Sequence, residues 1–277
     1  VGARLLLLVL LMGCTPTGLD DAGLASLDAK ALTRPATPLP RAHAHNDYEH
    51  PRPLLDALDQ GFCSVEADVY LEDGQLRVAH LSFQTDPART LRGLYLEPLR
   101  RRIAANAGRV HAEQETFTLL VDVKSEAEAT YAALDELLAD YSELLSEFTA
   151  DGVRVGAVTV LLSGNRARDT LAAAPRRWVA LDGRLPDLAG DAPAALIPLV
   201  SARWSSRFDW GGGGPMPVEE RELLRELVRQ AHAQGRRLRF WATPEDPAVW
   251  RELRDAGVDL IGTDALSRLR AFLTASR

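Results

Sequence analysis

Ser64-Val65-Glu66-Ala67-Asp68-Val69-Tyr70-Leu71 sets two carboxylates at alternating positions of an otherwise apolar run. Thr118-Leu119-Leu120-Val121-Asp122-Val123-Lys124-Ser125 repeats the pattern with an acid and a lysine. Successive side chains of a β-strand point to opposite faces, so Glu66 and Asp68 share one face, as do Asp122 and Lys124. A carboxylate within such a strand is costly to bury unless it is paired or bound to metal. These two runs therefore bear on both the architecture and a site.

Working outward, short runs rich in β-branched residues alternate with amphipathic stretches, the pattern of repeated β-α units around a parallel sheet. Strands are expected at 42–45, 62–69, 118–124, 157–162, 178–181, 196–200, 237–242 and 259–262, and helices at 52–60, 126–148, 218–234 and 246–256. Glycine stands where the last two helices stop, in Gln234-Gly235 and Ala256-Gly257. An extra strand at 76–80 follows Glu72-Asp73-Gly74, an Asp-Gly turn of the kind that closes an antiparallel hairpin. With 277 residues and 46% hydrophobic content, the chain fits one α/β domain over 41–277. The expected fold is a (β/α)8 TIM barrel with a short β-hairpin after the second strand.

The N-terminal segment reads as targeting sequence. Arg4 precedes the apolar run Leu5–Met12, and Leu11-Met12-Gly13-Cys14 resembles a bacterial lipobox. The expectation is a signal peptide over 1–13, lipid on Cys14, a Thr/Pro/Ala-rich tether over 14–40, and a bacterial cell-envelope lipoprotein facing periplasm or exterior. Membrane contact would then run through the anchor. Cys63, among Phe62, Val65 and Ala67, is expected to be a small buried hydrophobe without a disulfide partner. A net charge of −7 speaks against nucleic acid as a partner.

On the first strand, Arg41-Ala42-His43-Ala44-His45 aims both histidines to one side. Three carboxylates with waters suit a hard divalent cation, Mg2+ or Ca2+, which prefers oxygen ligands. An arginine pairing with the strand acids, or a salt bridge from Lys124 to Asp122, is the structural alternative, and the two uses are compatible. Residues 201–215, with aromatics, arginines and four consecutive glycines, suit a loop over the barrel mouth. Trp241 and Asp264 fall at barrel-top positions, where an aromatic platform and a polar anchor would be useful.

The order of these residues resembles the PLC-like phosphodiesterase and glycerophosphodiester phosphodiesterase superfamily. The similarity is more specific to the subfamily named for altered inheritance of mitochondria protein 6, through HAHNDYEHPRPLLDAL, SVEADVYL, RTLRGLYLEPL and RFWATP with GTDAL. The resemblance implies that Glu66, Asp68 and Asp122 ligate one divalent cation, that His45 and His80 act as general base and acid, and that Lys124 neutralises a phosphate oxygen. It implies a metal-dependent phosphoric diester hydrolase acting on a glycerophosphodiester, phosphoinositide or (lyso)phospholipid-type small-molecule or lipid substrate. Asn46 stands where glycerophosphodiesterases place arginine, with Arg203 or Lys124 as candidate replacements. Asn46, Arg203 and Trp241 are thus candidate substrate contacts.

Two other readings stay open. His43 and His45 resemble the His-x-His of amidohydrolases, although later histidines on strands are lacking. A catalytically inactive binding lipoprotein of the same fold is the other, because fold alone does not establish activity.

Overall fold

The computed structural model describes residues 35–112 and 116–275. Cys14, the apolar run and most of the expected tether lie outside the described residues. Strand β1 spans Leu39–Ala44, helix α1 Leu55–Asp59, β2 Phe62–Glu72 and β3 Gln75–Val78. Helix α2 follows at Glu97–Ala105, then β4 at Phe117–Val123 and α3 at Ala127–Ala139. Two short strands, β5 Glu147–Thr149 and β6 Gly152–Arg154, precede β7 Val158–Gly164, α4 Arg168–Ala173, β8 Arg176–Arg177 and β9 Val179–Gly183. The chain closes with β10 Leu199–Arg203, α5 Val218–Ala233, β11 Arg237–Trp241, α6 Pro247–Ala256, β12 Leu260–Thr263 and α7 Leu266–Ala275.

Eight of these strands are parallel and run in spatial order β1-β2-β4-β7-β9-β10-β11-β12, with β12 pairing back to β1. The sheet is therefore a closed (β/α)8 barrel. Alternation along each strand builds it: Leu119, Val121 and Val123 of β4 pack into the large outer core, while Leu120 points inward. Leu120, Leu161, Ala180, Leu199 and Leu260 fill the interior towards the N-terminal strand ends, where Phe148 of β5 joins them. Above that layer the inward positions turn polar, and these form the site.

The Asp73-Gly74 turn has φ of +50° and +75°, as a two-residue hairpin turn requires, and pairs β3 antiparallel to β2 from Glu72 opposite Gln75. The helix expected over 126–148 stops at Ala139. Beyond it Tyr141 is buried, its hydroxyl donating to Glu97 at 2.7 Å, and residues 147–149 join β6 and β8 in a small antiparallel sheet. Tertiary docking of Tyr141 overrides the helix-forming composition there. The strand expected from 196 begins at Leu199, just after Pro198, which has no N–H to give a ladder.

The segment 201–215 is tied down rather than draped over the mouth. Trp204, Phe208 and Trp210 are buried, and Trp204 lies with its ring centroid 4.2 Å from that of Phe208 and 5.6 Å from that of Phe240. Three aromatic side chains in a core leave little freedom for a hinge. Cys63 is buried as expected, and burial pushes its thiol pKa up to about 12. No helix among the described residues is long and apolar enough to cross a membrane.

Candidate active site

The polar layer opens into a cleft of ≈ 330 Å3 whose lining includes His45, Asn46, Glu66, Asp68, His80, Asp122, Lys124 and Trp241. It lies at the C-terminal strand ends, where barrel enzymes keep their chemistry. Glu66 and Asp68 are inward positions of β2, and Asp122 lies directly across the ladder from Asp68. Oxygen atoms of the three carboxylates come within 4.8 Å of one another. Gly164 at the end of β7 makes room for this: with φ of +67°, it sits where a Cβ would collide with the Asp122 carboxylate and the Val123 backbone.

Glu66 accepts hydrogen bonds from Arg239 and from His43 (3.2 Å), both at Oε2. The arginine pairing foreseen as an alternative is thus present, and it leaves Oε1 for the cleft. Burial acts to raise the Glu66 pKa, but the Arg239 charge and His43 outweigh it and hold the carboxyl well below its ordinary range. Asp68 behaves differently. Its Oδ2 accepts from Tyr48 (2.7 Å) and pairs with Lys124 (3.1 Å), while its buried Oδ1 has no partner. Burial raises its pKa to about 6 against the opposing pull of Lys124, and Glu66 adds to the rise. Burial likewise raises Asp122, although Lys124 lies 3.1 Å from its Oδ1. One lysine does not balance these acids. An orphaned buried oxygen beside two more carboxylates is a donor set that fits a hard divalent cation.

His45 follows the last residue of β1, its backbone N–H bonded to the Thr263 carbonyl. Its Nδ1 lies 2.8 Å from Asp264 Oδ1 and 3.0 Å from Asn46 Nδ2. One ring nitrogen cannot serve both. The shorter contact to a carboxylate makes it the donor to Asp264, which leaves Nε2 for the cleft. Burial lowers the His45 pKa, yet Asp264 and the Glu66 charge more than offset it, so the net shift is upward. His80, beyond β3, is half exposed and places Nδ1 2.8 Å from the Tyr48 hydroxyl. Tyr48 also lies 3.0 Å from Asn46 Oδ1, so one hydroxyl joins Asn46, Asp68 and His80. Asn46 itself adopts a left-handed conformation, φ +47°.

His43 takes no part in lining the cleft. It is fully buried between Ser64 (2.7 Å) and Glu66, and burial together with the Arg239 charge pushes its pKa down to about 3. An amidohydrolase would need His43 and His45 on one metal, whereas here they face different partners. Arg203, at the end of β10, stands over the Trp241 ring at 5.5 Å and lines an adjoining groove instead of the cleft. The cations that do line the cleft beside Lys124 are Arg239 and Arg184. Arg184 is held by Asp182 (2.9 Å), which also accepts from Ser163 (2.8 Å). Tyr48, Arg239, Asp182, Arg184 and Ser163 were not singled out in sequence. Tyr48 lies within the quoted HAHNDYEH motif, and Arg239, an inward charge on an apolar strand, carried the same signal as Glu66. Trp241 is 37% exposed, a cleft wall rather than core. His111 and His232 are elsewhere, bonded to the Phe62 carbonyl and to Asp259.

Acidic residues, two imidazoles and a lysine at the mouth of a (β/α)8 barrel define the PLC-like phosphodiesterase class. The model of the AIM6-like phosphodiesterase domain matches residues 30–179, and that of the glycerophosphoryl diester phosphodiesterase family matches 237–266. The chain belongs to the AIM6-like phosphodiesterase family. It is 33% identical to altered inheritance of mitochondria protein 6 of Eremothecium gossypii, over 87% of this chain and 71% of that protein. It is 27% identical to a homolog of that protein from Arthroderma benhamiae, over 87% and 86% of the two chains. The fold matches crystal structures of glycerophosphodiester phosphodiesterases from Parabacteroides distasonis (TM-score 0.53, 15% identity, 85% of this chain and 97% of that one) and Agrobacterium tumefaciens (0.52, 16%, 85% and 100%).

These relatives by sequence are fungal proteins. That overturns the expectation of a bacterial cell-envelope lipoprotein. The reason is the low information in the signal: an apolar run ending in a small residue and a cysteine arises readily without a lipidating enzyme to act on it.

Proposed function

We propose that this protein is a metal-dependent phosphoric diester hydrolase that works by histidine acid–base catalysis in the cleft at the barrel mouth. The carrying observation is the triad of Glu66, Asp68 and Asp122 with the unpartnered Asp68 Oδ1 in its midst. These three side chains would hold Mg2+ or Ca2+, which when bound supplies charge stabilisation for a non-bridging phosphate oxygen. Lys124, between Asp68 and Asp122, presents a second cation to the same phosphate.

His45 is oriented by Asp264 so that Nε2 faces the cleft, and the upward shift of its pKa strengthens it as a base for the attacking hydroxyl. The Tyr48 hydroxyl gives its proton to Asp68 and accepts from His80 Nδ1, so that His80 in its imidazolium form carries a second proton, on Nε2, for the departing alcohol. Trp241 contributes an aromatic wall to the cleft. Asn46 carries no charge, so phosphate neutralisation falls to Lys124 and Arg239. The substrate is a glycerophosphodiester, phosphoinositide or (lyso)phospholipid-type diester. The test is a screen of the purified chain against these three classes with Mg2+, Ca2+ and chelator in parallel. Turnover of at least one class with a divalent ion is expected, and inactivity on all of them under every condition would contradict the reading.

A further inference from the structure

Beside the cleft runs a second groove of ≈ 330 Å3, with Arg184, Ser201, Arg203, Arg207 and Trp241 in its walls. Arg184 and Trp241 belong to both, so the two spaces adjoin. The chain has a net charge of −7, and many of its surface guanidinium groups are engaged by carboxylates or carbonyls. Arg203 and Arg207 are exposed without an ion-pair partner among the described residues, as are Arg225 and Arg251 elsewhere, but only Arg203 and Arg207 of these stand together in the walls of this groove. Arg203 is held in place by the Trp241 ring, 5.5 Å from its guanidinium carbon. At the groove floor, Ser201 is 1% exposed and its Oγ has no hydrogen-bond partner. A buried hydroxyl left unsatisfied costs free energy that a ligand oxygen would recover.

We propose that this groove is a subsite for a second anionic group on the substrate, so that the preferred diester carries a phosphate monoester or carboxylate on one of its alcohols. This deepens the hydrolase reading and rests on it for the position of the scissile phosphate. Two guanidinium groups without counter-ions recognise planar or tetrahedral oxyanions through paired N–H donors. The Ser201 hydroxyl adds a donor below them, and Arg184 and Trp241 link the subsite to the cleft.

Binding measured calorimetrically in chelator, without turnover, separates this idea from the catalytic one. The probes are glycerophosphoinositol 4-phosphate against glycerophosphoinositol for the phosphate, and glycerophosphoserine against glycerophosphoethanolamine for the carboxylate. At least one anionic probe should bind about tenfold more tightly than its counterpart, and the ratio should fall towards one in Arg203→Gln/Arg207→Gln. Arg203→Lys/Arg207→Lys should retain part of it. Equal affinities within both pairs, or a ratio unchanged in the glutamine variant, would overturn the subsite. Binding with the expected ratio but no turnover in Mg2+ or Ca2+ would leave the subsite standing and count against the hydrolase.

Discussion

At the scale of single residues, the cleft separates groups that hold charge from groups that move protons. His45 and His80 both reach the cleft from strand or hairpin ends, and neither is enclosed by the core. His45→Ala and His80→Ala should each slow turnover by about a hundredfold or more with little change in melting temperature. Near-wild-type rates in either variant would remove that histidine from the mechanism. Tyr48→Phe deletes the hydroxyl that joins His80 to Asp68, and should slow a diester with a poor leaving alcohol about tenfold while sparing an activated aryl diester. An equal loss on both would show that Tyr48 acts only on the fold. Glu66, Asp68, Asp122 and Lys124 were legible in sequence because two-residue alternation in an apolar strand is a local pattern. Arg184 and Asp182 were not, since they matter only through contacts with Ser163 and the cleft that strand order creates. Arg203 was expected at the reacting phosphate, and it lies instead in the adjoining groove, over the Trp241 ring.

At the scale of elements, the eight strands were readable because most are short apolar runs set between amphipathic stretches, whereas the helices suffered from ambiguous ends. The 126–148 stretch has helix composition throughout, and only the docking of Tyr141 on α2 ends it early. Gly164 shows how an element end serves the site: Gly164→Ala should impair both metal affinity and turnover, because the new methyl displaces the Asp122 carboxylate. Unchanged metal affinity in that variant would deny the coupling. The loop after β1 depends on Asp47, whose buried carboxyl accepts from the Leu54 N–H (2.6 Å) and the Tyr95 hydroxyl (2.9 Å). Burial raises its pKa from 3.8 to about 7. A folded-state pKa above the unfolded one means that the group's stabilising contribution is complete below 3.8 and is lost as pH rises towards 7. Asp47→Asn keeps the neutral form, so its melting temperature relative to wild type should climb between about pH 4 and about pH 7 and level off above that. A difference that stays flat would place the carboxyl's titration elsewhere.

At the scale of the whole molecule, the barrel brings acids from β2 and β4 together, and their mutual repulsion is relieved only in part by Lys124 and Arg239. A cation that binds the folded chain alone should stabilise it, by about 2.7 kcal/mol at a hundred times its dissociation constant. Melting temperature should therefore rise with Mg2+ or Ca2+ in wild type and much less in Asp122→Asn. The most direct test of the central claim is turnover of the best diester from the substrate screen by protein stripped with chelator, followed by metal titration. The account predicts loss of activity on stripping, recovery with a hard divalent cation, and no recovery in Asp122→Asn. Full activity in stripped protein, or recovery that is the same in Asp122→Asn, would contradict it.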